Sequence, residues 1–194
     1  MDSKKVKYMV LTAFMAAVIS ILAPISIPMP SPVPSITLAT FAVALVSVIL
    51  PKWYLSAASV FIYMLVGGLG LPVFSNYNAG FSVIIGPTGG YIIGYLFIAA
   101  FTGIMAEKSA GIRYNSNDVP FVKNLKKYGL IVAGMIAGTV VCYAIGTIQL
   151  AYVLKLSVKA ALMAGVIPFI ATDLVKIILA AVIGLEIKKR IKNT

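Results

Sequence analysis

Six apolar stretches, at about 8–23, 36–50, 53–68, 88–106, 128–154 and 168–185, dominate this chain of 194 residues. A run of about 20 such residues crosses the hydrocarbon core of a bilayer as a helix, which satisfies its own backbone hydrogen bonds there. With 61% hydrophobic and only 11% charged residues, too little polar surface remains for a water-soluble domain of this length. The expected fold is therefore an all-α integral membrane bundle, a single domain of six transmembrane helices over residues 1–194. Their uneven lengths suit tilted helices around a cavity open to one side.

The charges that remain are placed like topology signals. The formal net charge is +11, yet the lysines and arginines gather at the ends of apolar runs, and no nucleic-acid motif accompanies them. With a cytoplasmic N-terminus, Lys4, Lys5, Lys7, Lys52, Lys108, Arg113, Lys123, Lys126, Lys127, Lys188, Lys189, Arg190 and Lys192 fall inside. Only Lys155 and Lys159 fall outside. That bias predicts both termini in the cytoplasm. The first run has the basic start of a signal peptide, but Pro24-Ile25-Ser26-Ile27-Pro28 follows it without a small-residue cleavage site, so a retained helix is expected.

Against this background Asp173 and Lys176 stand out, because they interrupt the last apolar run. A charge at that depth costs about 2.5–3.5 kcal/mol on insertion scales and is usually kept for a use. Their i, i+3 spacing puts an acceptor and a cation on one helix face. They are read as a ligand site one to two turns below the outer boundary, although a self-neutralising pair that only packs helices has the same spacing. Acid–base catalysis has little to work with: there is no histidine, the acids are Asp2, Glu107, Asp118, Asp173 and Glu186, and the lone Cys142 cannot form an internal disulfide.

Two outer loops are expected above the pair. Pro24–Pro34 carries five prolines in eleven residues and should be extended and stiff. Gly68–Gly90 is glycine-rich, carries Asn76, Tyr77 and Asn78, and suits a lid or a pocket wall. A short amphipathic surface helix is expected between Leu154 and Pro168. GPTGGYIIG (86–94) lacks the lysine and hydroxyl ending of a phosphate loop, so no ATP site or cofactor is expected. Its glycines permit close approach by a helix or a ligand. Ala13 and Ala17, and likewise Gly134 and Gly138, form small-residue stripes suited to helix packing, and the first stripe equally suits another membrane subunit.

Three segments together, PSITLATF (34–41), GLPVFSNYNAGFSVIIGPTGGYIIG (70–94) and GVIPFIATDLVK (165–176), resemble the BioY family over nearly the full chain. That family comprises biotin-specific substrate-binding S-components of energy-coupling factor (ECF) transporters. The resemblance implies a biotin-capturing subunit of the cell membrane, not an enzyme, working with a transmembrane coupling protein (EcfT) and two ABC-type ATPases. It implies ligand contacts from Thr37, Phe74, Asn76, Tyr77, Asn78, Gly89, Gly90, Tyr91, Asp173 and Lys176, and partner docking through Ala13 and Ala17. Ala39 stands where the family commonly has glutamine, and 75–78 reads Ser-Asn-Tyr-Asn where many relatives are glycine-rich. The choice between Asn76 and Asn78 stays open. An S-component for thiamin or riboflavin, a membrane enzyme using Asp173 and a structural membrane subunit are the alternatives.

Overall fold

The computed structural model describes residues 3–111 and 120–192; Asp2, Arg113 and Asp118 lie outside the described residues. The chain is helical almost throughout. In order come α1 (Ser3–Leu22), a two-residue β1 (Ser26–Ile27) and β2 (Ile36–Thr37), α2 (Ala39–Ile49), α3 (Trp53–Gly68), α4 (Phe81–Ile85), α5 (Gly89–Gly111), α6 (Pro120–Leu154), α7 (Val158–Gly165) and α8 (Ile167–Lys192). Among the described residues, α1, α5, α6 and the α7–α8 stretch are long and apolar enough to cross a membrane; α2 and α3 are apolar but shorter.

The short α2 is the centre of the bundle. Ala42, Val43, Val46 and Val48 are fully buried, and α1, α5 and α8 surround them. In lipid there is no water-driven force between apolar helices, so close packing has to hold them. Small residues supply it. A Cβ on Gly184 of α8 would lie 2.9 Å from Val48, so this glycine lets α8 rest directly on α2. Between α5 and α6 the approach is closer still: a Cβ on Gly94 would meet Cys142 at 2.6 Å, and one on Gly138 would meet the Ile98 backbone at 2.6 Å. Gly134 faces Phe101 and Met105 in the same seam. These glycines act in helix packing.

Helix α1 packs by one face only. Thr12, Met15, Ala16 and Ile19 are buried, and Ser59 of α3 donates to the Thr12 carbonyl at 3.0 Å. Ala13 and Ala17 lie on the opposite, exposed face, beside Val10, Phe14 and Ile21. That stripe is therefore on the outside of the bundle and takes no part in its internal packing.

All the structured loops that matter for a site collect at one end. The proline-rich stretch is a closed hairpin: β1 and β2 pair antiparallel, Ser26 with Thr37 and Ile27 with Ile36. The 68–90 segment contains a single 3-10 turn (Ser75–Tyr77) and the five-residue α4. Next, α6 ends in a turn at Lys155 (φ 52°), and Ser157 caps α7 by accepting from the Ala160 amide at 3.3 Å. At the other end, Lys52 before α3 pairs with Glu107 of α5 at 2.6 Å.

Candidate functional site

Asp173 and Lys176 lie six and nine residues into α8, about 9 Å and 14 Å along its axis. Asp173 is 4% exposed. The Lys176 ammonium donates to Asp173 Oδ1 at 2.8 Å and to the Thr40 hydroxyl at 3.4 Å. Thr40, in the first turn of α2, donates in turn to the same carboxylate oxygen at 3.1 Å. Tyr143 of α6 donates to Asp173 Oδ2 at 2.7 Å. Three helices thus converge on one carboxylate, and both its oxygens are held by fixed donors. Among the described residues, no acceptor takes the third ammonium proton of Lys176. A pair of apolar residues would hold α8 in place at least as well, because burying two charges costs about what their attraction returns. Packing alone does not account for this network.

The pair forms one wall of a cavity of about 120 Å³ at the loop end of the bundle. From α2 and the residues before it come Thr37, Ala39 and Thr40; from α3, Tyr63; from α5 and its N-terminal approach, Thr88, Tyr91, Ile92 and Tyr95. The α6 wall is Thr139, Cys142 and Tyr143, and Phe169 joins the pair from α8. The 68–90 segment supplies Phe74, Ser75, Asn76, Asn78 and Val83. Phe74 is locked edge-on against Tyr63, with ring centroids 5.5 Å apart at 88°, and its ring lies over Gly67, where a Cβ would collide with it. One charged, hydroxyl-rich wall therefore faces an aromatic one.

Asn76 closes the roof by joining the 24–37 hairpin to the 68–90 segment. Its side-chain oxygen accepts from the Ser26 hydroxyl at 2.7 Å, its amide donates to Ser35 Oγ at 2.7 Å, and its backbone N–H donates to Ser26 Oγ at 3.0 Å. The residue sits at φ 55°, in the left-handed region that asparagine tolerates better than most side chains. Its amide is spent on the loops. Asn78 donates to the Ser75 carbonyl at 2.8 Å, which leaves its side-chain oxygen as an acceptor at the cavity.

Of the ten residues that the sequence nominated for a ligand, seven border this cavity: Thr37, Phe74, Asn76, Asn78, Tyr91, Asp173 and Lys176. The other three do not. Tyr77 is 67% exposed, turned out by its own left-handed backbone at φ 59°. Gly89 is pressed against the Ile84 carbonyl and Gln149, and Gly90 lies on the Ile145 carbonyl and Gly146 of α6. Gln149 explains the crowding, since its amide donates to the carbonyls of Ile84 (2.9 Å) and Gly86 (2.7 Å) at the end of α4. The close approach these glycines permit is to protein. Tyr91 also has a structural duty, donating to the Gly165 carbonyl at 2.9 Å and so tying α5 to α7.

Sequence reasoning missed Thr40, Tyr143, Tyr63 and Tyr95. A hint was available for Tyr143, which lies four residues after Thr139 and so repeats a polar position on one face of apolar α6. Thr40 lies in the 34–41 segment, but its role is not legible there, because it depends on a contact with a residue 133 positions away.

With this geometry in place, comparison with known proteins identifies the lineage. The BioY family model matches residues 1–193. The chain is 36% identical to the biotin transporter BioY of Thermotoga maritima over 165 residues, covering 85% of this chain and 86% of that one. It is 34% identical to the probable biotin transporter BioY of Pyrococcus horikoshii, covering 93% and 95%. Its fold is similar to the crystal structure of the S-component for biotin from an ECF-type ABC transporter, with a TM-score of 0.79, 24% identity, and coverage of 97% and 94%. The chain belongs to the BioY family.

Proposed function

We propose that this protein is the biotin-binding specificity subunit of a vitamin uptake transporter in the cell membrane, and that the loop-end cavity is its biotin site. The observation that carries this reading is the buried Asp173–Lys176 pair, held by Thr40 and Tyr143 on the wall of a cavity whose other side is aromatic. Biotin has matching parts. Its ureido group offers two N–H donors and a carbonyl, its thiophane ring is apolar, and its tail ends in a carboxylate. Asp173 accepts a ureido N–H, and the free proton of Lys176 goes to the ureido carbonyl or the tail carboxylate. Phe74, Tyr63 and Tyr95 cover the ring. The role is capture and delivery, not catalysis. Relatives named as biotin transporters support it.

On this reading the four long helices α1, α5, α6 and α8 and the shorter α2 and α3 all traverse the bilayer with both termini cytoplasmic, and the cavity opens outward. Energy comes from a transmembrane coupling protein and two ATPases, docked through the exposed face of α1 that carries the small residues Ala13 and Ala17. The test is calorimetric titration of purified protein with biotin, thiamin and riboflavin. Biotin should bind with a Kd below about 1 µM, a standard free energy near −8 kcal/mol. Weaker binding, or a preference for either other vitamin, refutes the assignment.

A further inference from the structure

The wall formed by Thr139, Tyr143 and Asp173 has a second side. The same three residues border a groove of about 600 Å³ between α6, α7 and α8, which is otherwise almost wholly apolar. On α6 the groove runs from Ile136 to Ile148, about 18 Å at 1.5 Å per residue. Half of a ~30 Å hydrocarbon core is about 15 Å, so the groove has the length of one leaflet. At its α7 end the groove is lined by Val158 and Leu162, and in the sequence Lys155 lies three residues before Val158 and Lys159 directly after it, both exposed. Among the described residues neither lysine belongs to an ion pair. They are also the two cations that the charge pattern separates from all the others outside the membrane core.

We propose that this groove is a binding site for one anionic phospholipid, with an acyl chain along α6 and α8 and its phosphate between Lys155 and Lys159. A chain of that length fills the apolar hollow up to the Tyr143 wall, and a negative headgroup neutralises two otherwise unmatched cations at the leaflet surface. A zwitterionic lipid supplies the chain without the net charge, so the preference between headgroups reads out the lysines, and the total retained reads out the groove.

The experiment is native mass spectrometry of ligand-free protein in detergent, incubated with dioleoyl phosphatidylglycerol or dioleoyl phosphatidylcholine. Because no biotin is present, its outcome is independent of the biotin assignment. One phosphatidylglycerol per chain should be retained, preferred over phosphatidylcholine by about fivefold per lysine. K155A/K159A, two exposed substitutions that leave the core untouched, should abolish the preference. A144W, which fills the groove, should reduce retention of both lipids. The proposal is overturned if no lipid is retained, if the wild type holds both lipids equally, or if K155A/K159A keeps the preference. Full retention by A144W, or a second copy of the chain in place of lipid, overturns it as well.

Discussion

Removing Asp173 and Lys176 together should cost far less stability than removing either alone, while removing most of the affinity for biotin. Asp173 is 4% exposed and takes three donors, and Lys176 gives two of its protons to this network. In D173N the ammonium loses its counter-charge in a site that excludes most water; in K176M the carboxylate does. Breaking a buried pair from one side costs about 3–5 kcal/mol. For a chain of this size that corresponds to a fall in Tm of roughly 6–20 °C. D173N/K176M leaves no buried charge, and its Tm should return to within about 5 °C of wild type, since a neutral replacement of a buried pair is close to balanced. Binding should respond differently. Two hydrogen bonds to charged groups contribute about 1.5–3 kcal/mol each, so the double variant should bind biotin about 10²–10⁴-fold more weakly. Thermal unfolding in detergent, followed through the single Trp53, and calorimetry on the same samples give both numbers. If D173N/K176M is stable and binds biotin within threefold of wild type, the pair is a packing device and the site assignment fails.

Three further outcomes follow from the same geometry. N76A removes two of the clasp hydrogen bonds and strains a left-handed backbone position; biotin release should accelerate about tenfold, and N76G, which relieves the strain but not the bonding loss, should release equally fast in stopped-flow displacement. G138L pushes a side chain into the Ile98 backbone, and its Tm should fall by more than about 5 °C, whereas G129L, with open space around it, should stay within about 2 °C. A13L/A17L changes only an exposed face; biotin affinity should be unchanged while co-purification with the coupling protein is lost, and a loss of biotin binding instead would contradict the exposure of these residues.

The long-range plan of this chain is written in its apolar runs, because a helix in lipid needs only length and the absence of charge to declare itself. The run predicted at 88–106 overlaps α5 from its first residue, Gly89, and that at 128–154 lies within α6; Gly134 and Gly138 sit in the seam between these two helices. Asp173 and Lys176 were legible for the opposite reason: a charge in an apolar run is conspicuous. What the sequence concealed was partnership. Asn76 borders the cavity as nominated, but its side chain also bonds Ser26 and Ser35, 50 and 41 residues away, a duty the sequence does not show. Gly89 and Gly90 read as clearance for a ligand until Gln149, an isolated polar residue late in α6, is seen to draw the end of α4 against them. Such contacts depend on which helices become neighbours, and hydropathy carries no record of that choice.

The matched charges of Asp173 and Lys176 also fix the electrical balance of the site. Empty, it contributes no net charge to the membrane interior. Occupied by a ligand bearing one ionised carboxylate, it carries that single negative charge. Movement of the loaded site toward the cytoplasm would then work against a membrane potential that is negative inside, at about 2.3 kcal/mol for each 100 mV crossed. With the cavity open to the outside, as proposed, loading would carry no electrical cost, and the inward step would be the one that needs an external source of work.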